Sequence, residues 1–261
     1  MNNCKPQTIK VSVITPVKNG ERFIRQTVES VLSQKGDFEL EYIIRDGCST
    51  DKTLEILKEY GNKIIVVSKK DISPQEAINA GMAMATGDIG CWLNADDIFL
   101  PDALQKVIDT FNKYPARSWL YGRCKIIDEN NNIIRQPITI YKNCVGFFYS
   151  KNVLYCENYI NQPATFWKID LWHKINGNMS IKYKAAWDYE LWVKMSNCSK
   201  AIPVRVYLAK FRRHNNSISE NYYQKQFQEE LSIARKHGNS IHFIIHYILV
   251  KIRTIIYKYI L

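Results

Sequence analysis

Two hydrophobic periods alternate along the first 130 residues. IKVSVITPV (Ile9–Val17), LEYIIRD (Leu40–Asp46), KIIVVS (Lys63–Ser68) and GDIGCWLN (Gly87–Asn94) are short apolar runs bounded by turn residues, the pattern of buried strands. Between the first two, Glu21–Gln34 carries Phe23, Ile24, Val28, Val31 and Leu32 on one face, because steps of three and four residues match the helical period. Asp51–Tyr60 and Pro74–Ala85 continue the alternation as helices. Pro101 opens a further helix at a first-turn position, and a strand follows around Trp119–Ile127. Short strands separated by helices imply βαβ units, hence a Rossmann-like α/β fold with a mostly parallel sheet flanked by helices.

From Asp128 to Asn161 the pattern loosens, with three asparagines at 130–132 and a mixture of aromatics and asparagine. A small hairpin followed by a long loop is expected there, and long loops are often functional. Order returns in QPATFWKIDLWHKI (Gln162–Ile175). AAWDYELWVKM (Ala185–Met195) then starts a helix with Asp188 near its N-terminus, and AIPVRVYLAKFRRH (Ala201–His214) is a strand ending in a basic turn. After Ser219 two helices are expected, Tyr222–His237 and Ile241–Leu261. This divides the chain into an α/β domain over residues 1–219 and a C-terminal helical extension over 220–261.

Composition narrows the partners. With 46% hydrophobic residues in 261 the chain has ample material for a core, which excludes disorder as the main state. Seven cysteines form no CxxC and no zinc-spaced cluster with histidine, and the first apolar run is too short for a signal-peptide core. A cytoplasmic chain with reduced thiols is expected. The net charge is +11, yet residues 201–261 hold ten Lys/Arg against three acids and so account for seven of those charges. A general basic coat for nucleic acid would not be so localised, so nucleic acid is not an expected partner.

The last helix explains part of the excess. Ile244, Ile245, Ile248, Leu249, Ile252, Ile255, Ile256 and Tyr259 fall on one face, with Lys251 and Lys258 on one side and His242, His246 and Arg253 on the other. Central cations make it too polar to span a bilayer. An in-plane helix on an anionic leaflet, packing against the rest of the chain, and a homodimer contact all fit this pattern.

Ligands of parallel sheets collect beyond the carboxyl ends of the strands. Those ends read TPVKNG (Thr15–Gly20), DGCSTD (Asp46–Asp51), SKKD (Ser68–Asp71) and NADD (Asn94–Asp97). Asp96 and Asp97 suit a divalent cation bridging phosphate oxygens, and equally suit capping of the next helix. Asp46 can accept from a base imide or a ribose hydroxyl, or simply close a turn. No GxGxxG follows the first strand, which argues against a dinucleotide enzyme. TPVKNGERF has one glycine and no basic cluster, unlike a triphosphate loop.

Four segments in order, VSVITPVKNG, DGCSTDKT, AINAGMAMATGDIGCWLNADD and QPATFW with AAWDYELW, resemble the inverting family 2 glycosyltransferases of GT-A fold. The resemblance covers Ile9 to Ser219, about four fifths of the chain. It implies transfer of a hexose or N-acetylhexosamine from a nucleoside-diphosphate sugar, UDP by family frequency, to a hydroxyl of a saccharide acceptor. Together with the basic tail it implies a lipid-linked acceptor, surface-polysaccharide synthesis, and work at the inner face of the cell membrane. It places Pro16, Val17 and Asn19 against the base, Asp46 on the base, Asp71 and Asn79 beside the nucleoside, and Asn94 on the ribose. It gives Asp96, with Asp97 adjacent, to Mn²⁺ or Mg²⁺. Arg212 goes to the diphosphate, His214 to the metal shell, and Asp188 becomes the base that activates the acceptor. Trp187 is a candidate acceptor platform, since aromatic faces stack on sugars. Two departures stand out: Asn94 replaces an acid of the metal motif, and SKKDIS lacks the Lys-Gly that often follows Asp71. Asn94 also supports an alternative, a catalytically inactive GT-A protein that binds nucleotide or a partner.

Overall fold

The computed structural model describes residues 8–215 and 221–259. The expected boundary at 219/220 and the side chains of Lys258 and Tyr259 lie outside the described residues. The N-terminal half follows the sequence pattern: β1 (Ile9–Val17), α1 (Ile24–Leu32), β2 (Phe38–Asp46), α2 (Thr53–Lys58), β3 (Ile65–Ser68), α3 (Pro74–Met84) and β4 (Ile89–Trp92). A short β5 (Ile98–Phe99), then α4 (Ala103–Lys113) and β6 (Trp119–Ile127), complete it. α3 begins where expected because Pro74 opens its first turn and Ser73 Oγ accepts the Glu76 N–H, satisfying a donor with no helical partner.

Beyond β6 come α5 (Gln136–Val145), α6 (Lys151–Cys156), β7 (Thr165–Lys168), α7 (Ile169–Lys174), α8 (Trp187–Cys198), β8 (Ile202–Arg212), α9 (Tyr223–His237) and α10 (Ser240–Tyr259). The described strands form one sheet in the order β3-β2-β1-β4-β7-β6-β8-β5. β1, β2, β3 and β4 are mutually parallel, while β7 runs antiparallel to both β4 and β6. The alternation in β1 feeds two cores. Val11, Val13 and Val17 pack with α1 and α4 on one face, and Ile14 packs with Ile78 and Met82 of α3 on the other. On that second face Trp192 of α8 stacks between Trp92 and Trp119, with ring centroids 5.6 and 6.1 Å away. This anchors α8 to the sheet.

Two expectations change. The hairpin after β6 exists, as a turn in which Ile127 bridges Ile133 and Asp128 Oδ1 accepts the N–H groups of Asn130 and Asn132. The long loop after it is instead α5 and α6. Ser150 Oγ caps α6 through the Val153 N–H, and Pro137 lies in the first turn of α5. Periodicity hid α5 because Thr139 is its one buried residue, so it lacks a core-facing stripe.

The second change concerns α10. His246 and Val250 are buried, whereas Ile241, Ile244, Ile245, Ile248, Ile252 and Ile255 are exposed. Arg253 and His246 therefore do not rim the outer face. Arg253 turns inward to Glu230 (2.8 Å) and Glu157 (3.3 Å), and His246 Nε2 lies 3.6 Å from Glu230. Buried carboxylates need partners, and these two basic groups supply them. α9 packs on the second core as well: Ile233 is fully buried in the cluster that holds Trp172, Tyr189 and Trp192. Among the described residues no helix is long and apolar enough to cross a membrane.

Candidate active site

A cavity of about 610 Å³ opens over the carboxyl ends of β1 and β4, a volume that suits a small-molecule ligand. Two loops form one end of it. Asn19 adopts a left-handed φ of 54°, which asparagine tolerates better than most residues. Its N–H donates to Ser49 Oγ and its Oδ1 accepts the Thr50 N–H, both at 2.8 Å. Gly20 N–H donates to Thr53 Oγ1 (2.8 Å) and Glu21 N–H to Asp51 (3.0 Å). The loops after β1 and β2 are thus laced together, leaving Pro16, Val17, Asn19 and Gly47 on the cavity wall.

The acids at the strand ends have different surroundings. Asp46 is fully buried and outside the cavity lining, accepting from the Ser49 N–H at 3.2 Å and from Ser68 Oγ; this is turn chemistry. Asp71 lines the cavity and takes a hydrogen bond from Arg45 Nη2 (3.1 Å). Asn79 does not line it. Its Oδ1 accepts the Met179 N–H (2.7 Å) and its Nδ2 donates to the Met179 carbonyl (3.0 Å), tying α3 to the turn ahead of α8.

NADD splits into two roles. Asp96 lines the cavity, and its Oδ2 sits 2.9 Å from His214 Nε2, which lines it too. Asp97 is completely buried and outside the lining; it accepts from the Arg212 backbone N–H (2.9 Å) and Asn94 Nδ2 (3.1 Å). Burial, then the charge of Asp96, pushes the Asp97 carboxyl well above the ordinary range. Asn94 lines the cavity while bridging Asp97 and Gln162 Oε1 (3.0 Å), so its amide serves a structural bridge that a second carboxylate could not donate to.

RRH splits likewise. Arg212 is fully buried. Its guanidinium donates to the carbonyls of Asp96 (2.9 Å), Asp128 (3.0 Å) and Glu129 (3.3 Å), and to Gln26 Oε1 (2.8 Å) and Asn131 Oδ1 (2.9 Å). It is committed to the protein and lies outside the cavity, whereas Phe211 and Arg213 on either side line it. Successive side chains of a strand point to opposite faces, which explains the exchange of roles between neighbours.

At the other end, α8 carries Trp187 and Asp188 to the cavity. Trp167, Trp172 and Trp192 are core residues, leaving Trp187 as the one of this group on the wall. Burial pushes the Asp188 carboxyl up to about 6, against the opposing pull of the Tyr189 N–H (2.7 Å) and the Lys142 ammonium; Glu230 adds to the rise. Lys142 and Ile138 of α5, Asn158, and Gln226 of α9 complete this end. These four carried no motif in the sequence, although Gln162, which donates to the Trp92 carbonyl (2.8 Å), stood in QPATFW.

The donor set fits a divalent cation shared with a ligand. Among the described residues no three His, Cys, Asp or Glu side chains converge, so a complete protein cage is absent. One carboxylate and one imidazole converge at the cavity wall, so a cation held there would draw its other ligands from a bound molecule and water. Mn²⁺ accepts such a mixed set, and Mg²⁺ is commonly held by one or two carboxylates plus phosphates.

A parallel sheet continued through an antiparallel strand, with an acid beyond the end of β4 on the cavity wall, matches the GT-A class of α/β folds. The chain matches the model of glycosyl transferase family 2 over residues 12–189 and belongs to that family. It is 27% identical over 212 residues to an uncharacterized glycosyltransferase of Rickettsia typhi, covering 78% of this chain and 64% of that one; it thus spans just under two thirds of that relative. Its fold resembles S. aureus TarS 1–349 in complex with UDP-GlcNAc, with a TM-score of 0.67 at 19% identity, covering 87% of this chain and 65% of that one. It also resembles a mannosyltransferase of Pyrobaculum calidifontis in complex with GDP-Man and Mn²⁺, with a TM-score of 0.68 at 17% identity, covering 92% of this chain and 68% of that one.

Proposed function

We propose that the chain is a metal-dependent inverting hexosyltransferase, moving a hexose or N-acetylhexosamine from a UDP-sugar to a hydroxyl of a saccharide acceptor. The supporting observation is one cavity lined both by the Asp96–His214 pair and by Asp188, a carboxyl with its pKa raised to about 6. The base and ribose lie along Pro16, Val17 and Asn19 with Asp71 beside them. Asp46 shapes this pocket by closing its second loop, and Asn79 by fixing α3. Arg213, which lines the cavity where Arg212 does not, takes diphosphate oxygens. Asp96 and His214 would hold Mn²⁺ or Mg²⁺, with Asp97 and Asn94 orienting the loop; the bound cation would offset the charge of the departing diphosphate.

Asp188, ionised at neutral pH, accepts the proton of the acceptor hydroxyl as its oxygen attacks the anomeric carbon. The diphosphate leaves from the opposite side, which inverts the configuration. Trp187 offers the acceptor an aromatic face. Saturating UDP with Mn²⁺, at a hundred times its Kd, is expected to stabilise the fold by about 2.7 kcal/mol, read as a thermal shift of several degrees. A larger shift with GDP or dTDP would overturn the uridine assignment. Equal shifts with and without Mn²⁺ would overturn the shared cation.

The acceptor in this reading is a lipid-linked saccharide of surface-polysaccharide synthesis, with α10 resting on the anionic inner leaflet of the cell membrane. Six exposed isoleucines of α10 support it, since Ile241, Ile244, Ile245, Ile248, Ile252 and Ile255 share one outward face. No acid occurs after Glu230, while Arg235, Lys236 and Lys251 are exposed basic residues. Such a surface complements anionic headgroups and repels a second copy of itself. Full-length protein is expected to co-sediment with vesicles containing 30% phosphatidylglycerol, and Ile248→Asp with Ile252→Asp to remain in solution. A dimer in light scattering that the same pair dissolves, with no vesicle binding, would replace the membrane by a second copy.

A further inference from the structure

The two alanines ahead of α8 have no side chain able to cap it, and Ala186 at its N-cap position makes no side-chain capping bond. A carboxylate from α9 gathers the preceding backbone instead. Glu229 Oε1 and Oε2 accept the Lys184 N–H (2.9 and 3.0 Å), and Oε2 also accepts the N–H groups of Ala185 (2.9 Å) and Ala186 (3.1 Å). Three successive N–H groups curled around one anion form a nest, and Glu229 is buried within it. The two residues that follow are Trp187 and Asp188, both on the cavity wall.

The next residue anchors the element that supplies the clamp. Glu230 is fully buried and accepts from Asn158 Nδ2 (3.2 Å), Gln226 Nε2 (3.0 Å) and Arg253 Nη2 (2.8 Å). Burial opposes its ionisation, but Arg253 and His246 outweigh that and hold the carboxyl well below the ordinary range. Asn158 and Gln226 line the cavity as well, so α9 is fixed to the wall beside the base and to α10 behind it.

We infer that Glu229 is a positioning residue for the reaction: it holds the backbone at 184–186 so that Asp188 projects into the cavity. This rests on the reading of Asp188 as base. Charge-assisted hydrogen bonds of this kind are stronger than neutral ones, and glutamine cannot reproduce three of them. Displacing a reacting group by about 1 Å costs about 10²-fold in rate.

In Glu229→Gln, kcat for UDP release from UDP-N-acetylglucosamine with Mn²⁺ is expected to fall about 10- to 100-fold. KM for the donor and Kd for UDP should stay within about twofold of wild type. On an Asp188→Asn background the same change should remove nothing further, because both act through one group. Hydrogen exchange supplies a readout that needs no donor: the amides of Lys184, Ala185 and Ala186 are expected to be protected in the wild type and to exchange about as fast as open loop in Glu229→Gln. Fast exchange of these amides in the wild type, or an unchanged kcat in Glu229→Gln when Asp188→Asn is inactive, would overturn the clamp. A parallel loss of UDP affinity and kcat would also overturn it, by reducing Glu229 to a general structural role. Retained activity in Asp188→Asn strikes instead at the base assignment on which the inference stands.

Discussion

Asp188→Asn is expected to lower the rate of sugar transfer about a thousandfold while UDP binds as tightly as before. Asparagine has the shape of aspartate and can still accept the Tyr189 N–H that Asp188 Oδ1 takes at 2.7 Å, but it cannot receive a proton. General-base catalysis contributes about 10²–10⁴-fold, so the loss falls in kcat rather than in nucleotide affinity. Initial rates and calorimetric titration with UDP check the two halves. A variant retaining a tenth of the activity would place the base elsewhere. UDP binding without turnover of any donor, by the wild type as well, would turn the reading toward an inactive family member.

The pH dependence follows from the same group. The base acts when ionised, so the rate should fall as pH drops through about 6, the value to which burial raises Asp188. Lys142 favours the ionised form, and Lys142→Met should therefore move that acid limb to higher pH. Stability runs the opposite way. A carboxyl whose folded pKa exceeds its unfolded value of 3.8 favours the fold while protonated, and that contribution is lost as pH rises through about 6. At pH 7 the ionised Asp188 is thus a burden of about 1–3 kcal/mol, and Asp188→Asn should melt higher than the wild type as it loses activity. An enzyme tolerates this because a solvated, comfortable carboxylate would be a weaker base.

The sequence and the site correspond unevenly, for physical reasons. Period-two strands and helices with an apolar stripe are written locally, so β1 to β4 and α1 to α4 could be read directly. α5 could not, because its inner side faces a cavity and carries Ile138 and Lys142 rather than a core stripe. The four segments around Pro16, Asp46, Asp96 and Asp188 converge on one cavity, but which neighbour faces it depends on side-chain parity set by long-range pairing. Asp96 points in while Asp97 points to Arg212; Arg213 points in while Arg212 points away. Glu229 left no signal at all. An acid pair in a polar helix is ordinary on its own, and its meaning comes from residues 43 to 45 positions earlier that only the tertiary fold brings near.

That exchange between neighbouring arginines carries the second large effect. Arg212→Met is expected to lower the melting temperature by about 10 °C, whereas Arg213→Met should act on the ligand, weakening UDP binding in the presence of Mn²⁺. Removing the Arg212 guanidinium strips partners from three backbone carbonyls and two side-chain amide oxygens. It also removes the cation that counters the buried carboxyl of Asp97. Breaking a buried ionic arrangement on one side costs about 3–5 kcal/mol, and a chain of this size loses about 2–4 °C per kcal/mol. Methionine restores some packing volume but none of the hydrogen bonds, so the loss should persist across pH. The loop at Asp96 and the hairpin at Asp128–Asn131 are both held by this one side chain, so the variant should also loosen the Asp96–His214 pair and blunt its response to Mn²⁺. An unchanged melting temperature with weakened UDP binding in Arg212→Met would reverse the assignment and make Arg212 the phosphate ligand.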